Sequence, residues 1–402
     1  MIWFFLAFRN LFRNVRRTLA ILLTIAMGAG ALFSFDGFIT GVLEQYREDT
    51  IRAQYGYGQV NTKGYRDKVY EDPTRHWILN SRQVEEFLLR LDGVEQVFPR
   101  ANFSALLKKG NTTVSGYGQG IEAAKEAEFF TSLNVEEGKL LTDEPNGILL
   151  GRGLANSLGV SPGDRVRVVA TSAKGLLNEA NFVVTGIFHT GSVEFDSRVF
   201  RIQLNRAQRL VRTNRVELIS LALRDLSDWD HVAKTVEEAY PNLEATSFAE
   251  LDKIFYQHSV DWLKAQFRVV QIIILSIVLL GIFNTVSTSV LERKEEIGNL
   301  RANGESVFSI MRLFLTESAM LALIGSLVGI GLSAIILTLF VDKGILMPPG
   351  PGMTRQFLVS FTFGWPMVFY TMAMSVVAAL IASFFAGFRV AKMPIAKALR
   401  SF

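Results

Sequence analysis

Little in this chain of 402 residues is arranged to do covalent chemistry. There is no cysteine, so disulfides, thiolate nucleophiles and thiolate metal sites are excluded. The four histidines, His76, His189, His231 and His258, are scattered without metal-ligand spacing. Gly159-Val160-Ser161-Pro162-Gly163 fits the Gly-x-Ser-x-Gly pattern that presents a hydrolase nucleophile. That chemistry needs the backbone N–H after the serine as an oxyanion donor, and Pro162 has none. The motif also leads into the strand-like run 165–170 rather than a helix, so it reads as a tight turn. No Gly-x-x-x-x-Gly-Lys-[Ser/Thr] occurs, so no phosphate-binding loop is recognisable. The expectation is a non-catalytic chain that binds no metal or cofactor of its own.

What remains is binding chemistry, concentrated in Leu291-Glu-Arg-Lys-Glu-Glu-Ile-Gly-Asn-Leu-Arg-Ala-Asn-Gly304. Charges of both signs lie close together from Glu292 to Glu296, and glycines follow. This composition suits a short helix that a partner can grip electrostatically and push as a unit.

The elements that must position this segment are four apolar runs, 19–42, 269–290, 313–341 and 365–388. Each reaches the roughly 20 residues a helix needs to cross a bilayer. Residues 43–265 are too polar to be embedded. The fold class is an α+β membrane protein with four transmembrane helices and a large domain between the first and second. Arg9, Arg13, Arg16 and Arg17 precede the first run, and Arg389, Lys392, Lys397 and Arg400 follow the last. Neither tail carries Asp or Glu. The positive-inside rule then places both termini in the cytoplasm, 43–265 and the loop 342–364 outside, and 291–312 as a cytoplasmic loop. Acidic residues slightly outnumber basic ones in 43–265, so the formal charge of +4 comes from the membrane flanks. It points to anionic lipid and not to nucleic acid.

Residues 1–18 alternate apolar groups with arginines, as an interfacial helix does. The first run is too long for a signal-peptide core and reads as an uncleaved anchor continuing into a stalk over 44–54. In the large domain, Asn80 and Ser81 are placed to cap a helix, strands are expected at 94–107 and 112–117, and another at 216–223. Ser227 is placed to cap a helix to about Tyr240. Between these α+β pieces, about 121–215 reads as a β-rich insert, and 248–267 as a second stalk. Gly325-x-x-x-Gly329 marks a close-packing face on the third span. Asp36 and Glu317 fall near span ends, where solvation at the interface is expected.

The charged loop resembles the coupling segment of the FtsX-like permeases, the type VII ABC transporter superfamily that includes MacB and the lipoprotein-releasing LolC and LolE. The matching positions are Glu292, Arg293, Glu296, Ile297, Gly298, Arg301, Ala302 and Gly304. Asn299 and Asn303 stand where the family usually has apolar residues. Phe8-Arg-Asn-Leu-Phe-Arg-Asn14, Gly147 through Asp164, and Pro394-Ile-Ala-Lys-Ala-Leu-Arg400 resemble further family segments. The resemblance implies that the loop is a coupling helix seated in a groove of a separate cytoplasmic ABC ATPase. That ATPase would be present in two copies and would carry the ATP and magnesium. It also implies a second permease chain, forming a homo- or heterodimer in the inner membrane. A periplasmic lipoprotein carrier or adaptor and membrane lipids are the further implied partners. The expected activity is extraction of a lipophilic substrate, such as a lipoprotein, from the outer leaflet. The alternatives are MacB-like mechanotransmission efflux through an outer-membrane duct, and FtsX-like signalling to a cell-wall hydrolase without transport.

Overall fold

A computed structural model describes residues 15–68, 76–142, 144–251, 255–341, 344–348 and 356–392. The amphipathic segment before residue 15 and the motif from Pro394 to Arg400 lie outside them. The chain divides into two compact units. One contains the apolar helices, and the other the large domain.

Helix α1 (Val15–Thr50), most of which belongs to the first unit, is one uninterrupted helix of 36 residues. At 1.5 Å per residue it is about 54 Å long, well beyond a hydrocarbon core of about 30 Å. The described residues contain four helices long and apolar enough to cross a membrane. Gly325 and Gly329 lie against Ile25 and Ala26 of α1, and a Cβ at Gly329 would overlap the Ala26 backbone. Ser34 and Ser333 share a hydrogen bond beside this contact. Small residues thus let two helices approach closely where lipid supplies no hydrophobic drive.

The large domain is built on one sheet of ten strands. Its strands are β1 (Gly58–Thr62), β2 (Val94–Lys109), β3 (Thr112–Ile121), β4 (Asn134–Gly138), β5 (Gly147–Gly151), β6 (Arg165–Thr171), β7 (Leu177–His189), β8 (Val199–Gln203), β9 (Leu218–Leu223) and β10 (Leu243–Ser247). Strands β10, β1, β9 and the first half of β2 form an antiparallel sheet. It is covered by α2 (Ser81–Leu88) and α3 (Trp229–Ala239). Val84, Leu88, Val97, Phe98, Leu221, Val232 and Val236 share this core.

The second half of β2 leaves that sheet and closes a barrel. The hydrogen-bonded ring runs β2-β3-β8-β5-β7-β6 and returns to β2. Alternate residues such as Phe103, Ala105, Leu107, Val166, Val168, Phe182, Val184, Phe200 and Ile202 fill its interior. Closure leaves these strands no open edge on which another chain could add.

The two cores meet inside β2, at the step from Arg100 to Ala101. Strand β3 therefore belongs with the barrel. Phe129 and Phe130, from the connection after β3, pack in the core of the antiparallel sheet. The start of α3 also differs from expectation. Ser227 does not cap it. Instead the Asp225 side chain accepts from the Ser227 N–H at 2.8 Å, capping a short 3₁₀ turn, and α3 begins at Trp229. A carboxylate at that turn competes successfully with the serine hydroxyl.

Near the junction Glu217 is buried, 5 % exposed. It accepts from the Tyr65 hydroxyl and, at 3.1 Å, from the Asn102 N–H. Burial pushes its carboxyl up to about 7 from 4.5, against those hydrogen bonds. The folded state therefore holds a proton that the unfolded chain releases. Stability from this group is complete below about pH 4.5 and is lost as pH rises through about 7. In Glu217→Gln, the amide can accept from Asn102 and donate to Tyr65 without ionising. Unfolding of the detergent-solubilised protein, followed by tryptophan fluorescence, should show the wild type losing about 2 kcal/mol across that interval. The variant should lose much less. An identical pH profile for both would show that Glu217 does not titrate there.

Candidate functional site

The charged segment forms its own helix. The long helix α4 (Phe255–Glu292) ends at a break on Arg293. Helix α5 (Lys294–Ala302) follows, with Glu295 and Glu296 in its first turn and Arg301 in its last. Both placements complement the helix dipole. Gly304, at φ +92°, turns the chain out of α5 in a conformation open chiefly to glycine. Ser306 then caps α6 (Val307–Phe340), its hydroxyl accepting from the Ser309 N–H at 3.1 Å. A short rigid rod is thus set off by a break at each end.

Arg293 fixes this rod to α6. Its Nη1 donates to Glu317 at 2.6 Å and its Nε to Glu296 at 2.9 Å. The guanidinium also lies 5.2 Å from the Phe314 ring centroid. Burial alone lowers the pKa of Arg293, but the two carboxylates outweigh it and raise the net value, so the side chain stays charged. Glu317 is thus not solvated at an interface. It is buried, 6 % exposed, because a cation from the neighbouring break compensates it.

The eight positions of the charged motif divide by environment. Arg293, Ile297 and Gly298 are buried, with Ile297 packed beside Val290, Ile310 and Phe314. Glu296 and Arg301 are half-buried, while Glu292, Ala302 and Gly304 are exposed. Glu295, Asn299 and Asn303 share the exposed face. That face is open to approach, and the buried residues join α5 to α6.

A second arrangement lies where α1 enters the large domain. The helix ends in one π-helical turn, Ile51–Tyr55, closed by the Gly56 N–H donating to the Ile51 carbonyl at 3.0 Å. Two buried arginines hold this turn. Arg100 Nη1 donates to the Gln54 carbonyl at 2.5 Å, and Arg201 Nη2 to the Ala53 carbonyl at 3.2 Å. Between the arginines lies Glu126, 2 % exposed. It accepts two bonds from Arg100, at 2.7 and 2.8 Å, and has Arg201 at 3.7 Å. Gln119 accepts from Arg201 Nε at 3.1 Å, and Phe130 lies under the Arg100 guanidinium at 4.3 Å. Burial pushes Arg201 down to about 10 while Glu126 opposes the shift, leaving it cationic at neutral pH. Two further bonds tie the turn to its surroundings: Arg52 donates to the Phe129 carbonyl at 3.5 Å and Ser220 to the Tyr55 carbonyl at 3.1 Å. The sequence reading did not single out Arg100, Glu126 or Arg201. They are far apart in the chain, and only the strand register brings them together.

Among the described residues no group of His, Asp and Glu could hold a metal ion. The chemistry of both arrangements is mechanical: each fixes a helix end to a neighbouring element through buried charge.

Long apolar helices, a short charged helix between two of them and a large α+β domain between the first pair define an ABC transporter permease of the FtsX/MacB/LolC type. Residues 268–395 match the family described as FtsX-like permease C-terminal, and residues 18–239 that described as MacB-like periplasmic core domain. The chain belongs to the MacB-like periplasmic core domain family. It is similar to the lipoprotein-releasing system transmembrane protein LolC of Xylella fastidiosa, 27% identical over 274 residues, covering 63% of this chain and 64% of that protein. LolC of Neisseria meningitidis serogroup B is 24% identical over 325 residues, covering 78% and 75%. The macrolide export ATP-binding/permease protein MacB of Nitrobacter winogradskyi is 26% identical over 296 residues, covering 68% and 43%. The chain thus spans between 43% and 75% of the length of these relatives.

Removing one partner of a buried ion pair strands the other. Glu317→Ala should lower unfolding stability in detergent by about 3 kcal/mol. Arg293→Met combined with Glu317→Leu should recover most of it, as apolar replacement of both charges does. Failure of the double variant to recover would mean that the pair is not the source of the loss. At the other site, Glu126→Gln should leave two buried guanidiniums without their carboxylate. Hydrogen–deuterium exchange over residues 51–56 should then speed up at least tenfold, while peptides from the barrel strands stay unchanged. Equal exchange in both proteins would remove Glu126 from any role in holding the turn.

Proposed function

We propose that this chain is the membrane subunit of a machine in which a separate cytoplasmic ATPase, bound in two copies with its ATP and magnesium, drives motion of the large domain. In this reading a second permease chain completes the complex, both termini face the cytoplasm and the large domain faces the periplasm. The observation that carries it is the length and continuity of α1. A helix about 54 Å long outlasts the bilayer and ends in a turn gripped by Arg100 and Arg201. A rod so held transmits displacement, and no tunnel through the membrane is required.

Helix α5 is the proposed seat for the ATPase, entered through Glu295, Asn299 and Ala302 on its exposed side. Arg293, Ile297 and Gly298 act behind them as the anchor to α6. Glu296 belongs to both sets, since its carboxylate already binds Arg293. The substrate favoured by this reading is a lipophilic molecule of the outer leaflet, such as a lipoprotein. Similarity to the lipoprotein-releasing LolC proteins supports it. A periplasmic carrier would then receive that substrate. Efflux of periplasmic molecules is the second reading, supported by similarity to a macrolide exporter over 68% of the chain.

Three measurements test this. The chain purified free of any ATPase should hydrolyse no ATP, and turnover by such a preparation would refute the division of labour. Asn299→Trp should abolish co-purification of the cognate ATPase while leaving the unfolding temperature unchanged, because residue 299 is exposed and outside the Arg293 pair. Full ATPase recovery would move the docking surface elsewhere. The protein lacks cysteine, so Ser115→Cys and Ser401→Cys can each be probed in spheroplasts with an impermeant maleimide. Labelling at 115 and protection at 401 are expected, and the reverse pattern would invert the topology.

A further inference from the structure

One groove in the membrane-spanning unit belongs to neither arrangement above. It lies between α6 and α7 (Trp365–Ala391), with a volume of about 550 Å³. On α6, Phe308, Met311, Leu315 and Ala319 line it at helical spacing, and on α7, Phe384 and Phe388 do. The walls are apolar, yet they are not closed over: Phe308 is 78 % exposed and Phe384 47 %. From Phe308 to Ala319 the helix advances about 16 Å, close to the depth of one leaflet of a hydrocarbon core about 30 Å thick.

The charge lies in the half of the groove nearer Phe308. Arg312, exposed, lines the groove on α6. On α7, exposed Arg389 follows Phe388, and the Lys392 ammonium lies 4.2 Å from the Phe388 ring centroid. Among the described residues, the lining includes no carboxylate. Arginine and lysine stems can lie along apolar walls while their heads reach the headgroup layer. A groove one leaflet deep and apolar, with cations at its mouth, is complementary to an amphiphile with a negative head.

We propose that this groove binds an anionic glycerophospholipid from the leaflet on the α5 side of the membrane. One acyl chain lies between Leu315, Ala319 and Phe384, and the phosphate lies against Arg312 and Lys392. Because Met311 packs in the same core as Ile297 of α5, an occupied groove stiffens the seat of α5. The site rests on the geometry of α6 and α7 and does not depend on which substrate the complex moves.

The test uses the full chain in detergent, titrated with phosphatidylglycerol, phosphatidylcholine or inorganic phosphate and followed by native mass spectrometry. Phosphatidylglycerol should be retained in preference to phosphatidylcholine, and inorganic phosphate should not compete. Arg312→Glu should weaken phosphatidylglycerol retention roughly fivefold or more, since each basic residue at an anionic surface contributes on the order of 1 kcal/mol. Arg312→Lys should restore it, and phosphatidylcholine binding should not change in either variant. Equal retention of both lipids by wild type and Arg312→Glu would reduce the groove to ordinary annular contact and overturn the proposal. A photo-cross-linking residue in place of Phe308 gives an independent reading in native membranes. Adducts of lipid mass are expected, and a cross-link to the ATPase or to a second copy of this chain would assign the groove to protein instead.

Discussion

A carboxylate between two arginines, all three removed from water, is the constraint on which the large domain depends. Taking such charges out of water costs several kcal/mol per ion, so the arrangement persists only if each donor finds an acceptor in fixed geometry. Glu126 satisfies part of that demand. The carbonyls of Ala53 and Gln54 satisfy more, and they belong to the turn that ends α1. The helix end is therefore held by electrostatic necessity. Letting the turn drift would leave guanidinium protons unpaired in a dry interior, a worse state than either partner alone in solvent. The π-helical turn itself fits this account, since two successive carbonyls within it, of Ala53 and Gln54, accept from the two arginines.

The same logic recurs in the membrane-spanning unit with other residues. Arg293 sits at the break between α4 and α5 and reaches Glu317 on α6. Segments that touch a moving partner need to be rigid internally and loosely bounded outside. Helix α5 has both properties: Gly304 and the break at Arg293 free its ends, and the ion pair with Ile297 fixes its inner face.

Much of this architecture was legible in the sequence, because the signals were long or local. Apolar runs at span length, the helix after Asn80, and the alternation in β2, β6 and β7 all carry their own periodicity. The segment that forms α5 was visible from its charges and its resemblance to the FtsX-like permeases. The burial of Glu317 was not, since a lone carboxylate near a span end looks the same whether water or Arg293 compensates it. The Arg100–Glu126–Arg201 cluster was equally hidden. Its members are ordinary charged residues in three different segments, and nothing in spacing distinguishes them from solvated ones. Barrel closure was also beyond reach, since it depends on β6 pairing with β2 across some sixty residues of chain. The same closure explains why an insert drawn at 121–215 does not coincide with either hydrophobic core.

Strand β2 raises a different matter, that of modularity. The antiparallel sheet and the barrel look like separable parts, and exchanging barrels between relatives is an obvious experiment. Yet the border between them is a single peptide bond in the middle of a sixteen-residue strand, not a linker. A chimera cut at flexible loops on either side would carry away half of a strand that the remaining sheet needs. The graft has to be made in register, within β2, between Arg100 and Ala101. Since Arg100 is also the residue that holds the end of α1, any exchanged barrel must arrive with a partner for it. The barrel's far loops and outer face are the places where sequence can change without reopening the strand.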